Sequence, residues 1–97
     1  MKKGDIVSVV TFSGEYVGEF ESYDEKLVLN NPKMIVQNPQ TGEMGFSKGI
    51  AATGDESPTE VVFDNIIFVT PSNERVKTAH KSAVTGIEVP SKPKIVT

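Results

Sequence analysis

The run "EVVFDNIIFVTP", residues 60–71, does more than any other stretch to limit what this chain can become. In a lone antiparallel sheet one face meets water, so apolar and polar residues alternate along each strand. Here Val61, Val62 and Phe63, then Ile66, Ile67, Phe68 and Val69, put apolar side chains on both faces. "IVSVV" (6–10) and "MIV" (34–36) repeat the habit more briefly. Buried apolar area is worth about 25 cal/mol per Å², so leaving the outward residues wet forfeits several kcal/mol per strand. An uncovered apolar edge is also a template for aggregation. The economical expectation is a homo-oligomer, with a second copy covering Val61, Val62, Ile66, Ile67, Phe68 and Val69 through strand edges.

The chain of 97 residues suits one small domain whose core is thin for its surface. At 37% hydrophobic and 7% aromatic, it can fill one small barrel or sandwich. Without cysteine there is no disulfide framework and no thiolate metal site. No apolar run approaches the roughly 18 residues of a membrane span. In "MKKGDIVSVV" an aspartate follows the lysines at once and the apolar part reads as a strand, so no signal peptide is expected. These features predict a cytoplasmic protein with no membrane partner and no cofactor. Charge is unevenly spread. Residues 1–71 hold five lysines against eleven acids, a balance of −6, whereas residues 72–97 hold five basic residues against two acids, a balance of +3. An acidic body excludes a strongly basic nucleic-acid binder, so any polyanion must be held locally or by the tail.

Along the chain, "DIVSVVTF" (5–12) reads as a first strand bounded by Gly4 and "SGE", and a second runs from about Tyr16 to Tyr23. In "GEFESYDEKLVL" spacing by twos places Gly18, Phe20 and Ser22 on one face and Glu19, Glu21 and Tyr23 on the other. "DEK" reverses the chain. "KLVLNNPKMIVQ" is a third strand interrupted by Pro32, which cannot donate to a ladder and so marks a bend or an edge. Pro39 and Gly42 bracket a turn, and Glu43–Phe46 can pair back as a short strand. "SKGIAATGDESPTE" reads as a mobile insertion. From Ser72, a plausible cap, Val76, Ala79, His80, Ala83 and Val84 follow helical spacing until Gly86, and "IEVPSKPKIVT" is proline-broken. The pattern predicts an all-β antiparallel barrel of about five short strands, with one C-terminal helix.

"GEFESYD" followed by a short apolar strand, and later "IIFVTPS", resembles the Sm-like proteins, most of all the bacterial host-factor RNA chaperones. The matching residues are Gly14, Gly18, Phe20, Asp24, Leu29, Ile66, Val69 and Pro71, within residues 4–37 and 60–72. The resemblance implies a strongly bent Sm-like (SH3-type) barrel over residues 1–71, with an insertion at about 39–60 before the last strands, and a basic helix and tail over 72–97. It implies that the last two strands are edges that pair between subunits, closing a homo-oligomeric ring of about five to seven copies around a pore. In related rings the nucleotide lodges between two turns, one after the second strand and one between the last two strands. Here Lys26 stands where an aromatic would be, and Asp64, flanked by Phe63 and Asn65, stands where lysine and histidine would be.

The function this implies is non-catalytic binding of single-stranded nucleic acid, RNA before DNA. Tyr23 or Phe63 would stack on bases, and Lys26 and Asn65 would bond to them, with Lys48 as a further polyanion contact. The alternative is a ring-shaped protein-binding adaptor or assembly protein that has lost the nucleotide pocket; Asp64 and the acidic body favour it. No enzyme is expected. "GEMGFSKG" lacks the Gly-Lys-Ser/Thr order of a phosphate loop and reads as a glycine-rich hairpin. His80, the only histidine, has no partner at ligand or dyad spacing and reads as a half-buried helix residue. Glu19, Glu21, Asp24 and Glu25 read as a solvated face, not a hydrolytic pair.

Overall fold

A computed structural model describes residues 1–85 of the chain. It is mostly β: a six-stranded, open antiparallel sheet followed by one helix. The strands are β1 (Ile6–Thr11), β2 (Gly14–Tyr23), β3 (Leu27–Gln37), β4 (Met44–Phe46), β5 (Glu60–Phe63) and β6 (Phe68–Pro71), and the helix is α1 (Glu74–Thr85). The short strand expected at Glu43–Phe46 is β4, and the run 60–71 divides into β5 and β6, which brings the count to six against the five or so anticipated. The proline-broken tail and its Gly86 stop lie outside the described residues.

Hairpins order the sheet. β1 pairs β2 and β2 pairs β3, while β6 returns to the far side of β1. β3 serves two partners on one edge: Leu27–Asn30 pair β5 and Ile35–Gln37 pair β4. Between those halves lies a bulge. Val17 pairs Lys33 but Glu19 pairs Asn30, so Asn31 and Pro32 of β3 together face Gly18. Asn31 sits at φ 49°, the left-handed region that asparagine tolerates better than most residues. Pro32, buried, has no N–H to leave unpaired. The bend read from "NNP" is therefore a bulge inside the sheet, not an edge. Gly18 is needed opposite it, since a Cβ there would stand 3.1 Å from the Asn30 carbonyl and from the Leu29 side chain.

A second irregularity lies on β2 at Glu21, between the pairs Phe20–Leu29 and Ser22–Val28. The extra residue breaks the two-residue alternation, so the simple division of Glu19, Glu21 and Tyr23 onto one face fails beyond Phe20.

Each side of the sheet has its own core. On one, Val7, Val9, Leu27 and Leu29 are buried, with Phe20, Val61, Phe63, Ile66 and Val69 packed against them. The rings of Tyr16 and Phe63 meet at 5.1 Å between centroids, although Tyr16 pairs Met34 and Phe63 pairs Leu27 at opposite ends of β3. The sheet must coil for that contact to form. On the other side Val17, Val76 and Ala79 are buried against Ile6, Ile35, Met44 and Phe46. The second apolar face of β1 and β3 is thus packed against α1 of the same chain.

The helix starts one residue later than its sequence suggested. Asn73 is the cap, its Oδ1 accepting the Val76 N–H at 2.9 Å, which is worth about 1 kcal/mol over alanine. Ser72 is still part of the extended chain; its N–H donates to the Ile6 carbonyl at 3.0 Å and its hydroxyl bonds that of Ser8 at 2.7 Å. His80 is not half-buried but 1% exposed. Its Nε2 lies 2.7 Å from the Asn31 carbonyl oxygen, which can only accept, so Nε2 carries the proton. Phe46 meets the imidazole edge-on at 6.3 Å.

Burial holds the His80 pKa below its ordinary 6.5, against the Asn31 hydrogen bond and the Glu19 carboxylate, which act in the opposite direction. With the folded value lowered, the unfolded chain takes up the proton first as pH falls. Stability is therefore complete above about pH 6.5 and is lost as pH drops from there toward the folded-state value. Urea unfolding at pH 7.5 and 5.5 should show that loss, and His80→Gln, which keeps a donor but does not titrate, should lessen it. His80→Ala should lose about 1–3 kcal/mol at pH 7.5 through the orphaned carbonyl, and less at pH 5.5, where the parent has itself lost part of the histidine's contribution. A pH profile that His80→Gln leaves unchanged would assign the loss to other groups.

Candidate nucleic-acid interface

At one end of the sheet the register Tyr23–Leu27–Phe63 runs across β2, β3 and β5. It sets the β2–β3 turn (24–26) beside the β5–β6 turn (64–67). Lys26 Nζ reaches to 3.9 Å from Asp64 Oδ1, with the two side chains 57% and 78% exposed. Tyr23 is 47% exposed next to this turn, and Asn65 is exposed on the other. The structure therefore brings Tyr23, Lys26, Phe63 and Asn65 to one end of the molecule. Phe63 differs from the rest: its ring is spent on Tyr16 and the core below. Lys48 stands elsewhere, on an open groove of ≈ 730 Å³ beside β4 that Lys33, Phe46, Glu56 and Ala83 also line.

The electrostatics of the two turns are acidic. Asp24, Glu25 and Asp64 face a single cation, Lys26, which one of them already engages. A pair this exposed is weak, with about 0–1 kcal/mol at stake. It nonetheless keeps Lys26 beside a carboxylate instead of free for phosphate. Nearby, Glu21 accepts from Asn30 Nδ2 at 2.7 Å and meets Lys3 at 3.1 Å, and these contacts hold its carboxyl below the usual range.

The apolar residues expected at a subunit boundary divide into two groups. Val61, Ile66 and Val69 pack against the protomer's own core. Val62, Ile67 and Phe68 are 51%, 52% and 51% exposed. Among the described residues the outer edges of β5 and β6 are unpaired, since β5 bonds only β3 and β6 only β1.

Sequence reasoning missed the junction around Asn31. Its carbonyl takes His80, its Nδ2 donates to Glu19 Oε2 at 2.8 Å, and its N–H donates to the Thr59 carbonyl at 2.9 Å. A lone histidine in register with Val76 and Ala79 on an apolar helix face was the available signal. The groove beside it, ≈ 450 Å³, is lined by Ile6, Glu19, Lys77, His80 and Lys81 among others. Among the described residues no group of three or more His, Cys, Asp or Glu side chains is placed to hold a metal ion, and no helix is long and apolar enough to cross a membrane.

Asp64→Asn should leave folding stability within about 0.5 kcal/mol of the parent, read by urea unfolding, because the ion pair is solvated. A loss well above that would make the Lys26–Asp64 contact a structural clamp on the two turns.

No protein-family model, curated protein or solved structure matches this chain.

Proposed function

We propose that this protein is a non-catalytic, Sm-like binding protein that assembles edge to edge into a homo-oligomeric ring. In the proposed ring, single-stranded nucleic acid, RNA foremost, is held where turns 24–26 and 64–67 meet. The observation that carries the reading is their juxtaposition, with Lys26 3.9 Å from Asp64 and Tyr23 exposed alongside. The strand order supports the assembly: β5 and β6 lie at separate margins of one coiled sheet, each with a free edge and exposed apolar residues. The Tyr16–Phe63 contact supports a barrel-like curl.

The chemistry of the turns favours bases over phosphates. Tyr23 offers an exposed ring for stacking, whereas that of Phe63 is partly buried and packed against Tyr16. Asn65 offers an amide that can both donate to and accept from a base edge. Lys26 becomes a donor once it leaves Asp64. The carboxylates beside them repel a phosphate backbone, so recognition by stacking and base edges is the mode these residues can perform. The same carboxylates favour a second reading, a protein-binding adaptor built on the same ring.

Titration of labelled oligo-U and oligo-A at low salt, with native mass measured in parallel, separates the two. Saturable binding that weakens with salt is expected. Tyr23→Ala should weaken it by roughly tenfold or more if one base stacks there. Lys26→Ala should weaken it and Asp64→Asn should strengthen it. An oligomeric mass with no binding in the micromolar range would select the adaptor, and a monomer at every concentration would remove the ring.

A further inference from the structure

Phe12 is the most exposed large apolar side chain among the described residues, at 93%. It occupies the tip of the β1–β2 turn, a place where glycine, asparagine, aspartate and serine satisfy the backbone and phenylalanine adds nothing to it. The turn is rigid without it. Thr11 Oγ1 accepts the N–H groups of Ser13 and Gly14 at 3.1 and 3.2 Å, and Ser13 Oγ is hydrogen-bonded to the hydroxyl of buried Tyr16 at 2.9 Å. The backbone that carries the ring is thus held, and an aromatic with two side-chain torsions gives up comparatively little freedom on being covered, which suits a binding anchor.

Its surroundings indicate what covers it. Val10, two positions before Phe12, pairs with Phe68, and the Ile67 N–H donates to the Val10 carbonyl at 2.8 Å. Phe12 therefore stands at the end of the sheet where β6 begins, with Ile67 and Phe68 half exposed next to it. The outer edge of β6 is unpaired among the described residues, and a strand added there would run along Ile67 and Phe68, with Phe12 one strand further in. The chain itself supplies a strand of the same length, since β5 and β6 each span four residues. The outer edge of β5 is also free, and it carries the exposed Val62. β6 carries no charged side chain, and β5 carries only Glu60, exposed at its first position, so pairing the two edges along Val61–Phe63 buries no unmatched charge. β4 is a poorer candidate, because its flank shares a groove with Glu56 and Ser57.

We infer that Phe12 is an inter-subunit anchor: when the β5 edge of a second copy adds to β6, Phe12, Ile67 and Phe68 close over that copy's Val62. The inference rests on the edge-to-edge assembly proposed above and adds to it a residue outside both edge strands. One interface then has two parts, a short backbone ladder and an aromatic clasp beside its end. Four-residue strands give few ladder bonds, and the clasp supplies the apolar burial that they lack.

The test is a dilution series by sedimentation velocity on the full chain, its Phe12→Ser and Phe12→Leu variants, and Val62→Lys. Phe12→Ser should raise the subunit concentration needed for half-assembly by at least about tenfold. It should leave the circular dichroism spectrum and the melting midpoint of the protomer unchanged, because Phe12 buries nothing within its own chain. Phe12→Leu should restore most of the assembly, and Val62→Lys should weaken it as Phe12→Ser does. A parent that assembles while Phe12→Ser assembles equally well overturns the anchor and leaves edge pairing standing. A parent that stays monomeric throughout overturns both.

Discussion

The bulge at Asn31 and Pro32 governs the shape of everything around it. A strand as long as Leu27–Gln37 would, if straight, present one edge to one partner. The extra residue bends β3, so that β5 lies along its first half and β4 along its second. A bulge also exposes backbone groups that a ladder would have satisfied, and each must find another partner if it is buried. Here they do. The N–H of Asn31 goes to Thr59, its carbonyl to His80, and Pro32 brings no donor at all. The side-chain amide of Asn31 then reaches Glu19 across the strand pair. One residue so joins β2, β3, the approach to β5 and the helix.

That junction explains why the helix carries a histidine on its apolar face. Leucine there would fill the volume but leave the Asn31 carbonyl without a donor, at a cost of about 1–3 kcal/mol. Lysine would bring a charge into a site that excludes water. Neutral imidazole fits between these limits: it is aromatic enough to meet Phe46 edge-on and polar enough to donate one hydrogen bond. The helix in turn covers Ile6, Val17 and Ile35, which would otherwise be an open apolar face. Satisfying one carbonyl and covering one sheet face are thus done by the same turn of helix.

How much of this could be read from the residues depends on whether the controlling contact was local. Valine-rich runs with glycine and proline between them located the strands, and helical spacing located α1, because each is decided within a few residues. The cap was misplaced by one position. Ser72 and Asn73 are both capping types, and the pairing of Ser72 with Ile6 and Ser8, far away in sequence, decides between them. The bulge at Glu21 left no trace, since nothing in "EFES" separates a paired residue from an extra one. The two apolar faces were legible, but not what lies over them: the helix packs on one face of β1 and β3, and of the six residues expected at a subunit boundary Val62, Ile67 and Phe68 are about half exposed. At the candidate site, the closeness of turns 24–26 and 64–67 followed from family resemblance, and the inward turn of Phe63 toward Tyr16 was visible in no short stretch.

Those remaining apolar residues sit on the part of the sheet with the least protection. Natural edge strands are usually guarded by lysines, inward charges, bulges or a covering element. β6 has only Pro71 at its end, and the bulges of this sheet lie on β2 and β3, away from the free edges. The one charge between the two edge strands, Asp64, lies in their turn and is engaged with Lys26. An edge left unguarded on a body carrying −6 is under two opposing demands. Its backbone and apolar side chains are lowered in free energy by adding a strand, while the bodies behind it repel one another. In the proposed ring a head-to-tail contact between two different edges uses every edge once and growth stops; the same contact without closure runs on into a fibre. Which of the two forms depends on the rotation between neighbours, and a strand pairing alone holds that rotation loosely. A second point of contact off the strand axis fixes it, which is the role proposed for Phe12, exposed on the turn beside the edge.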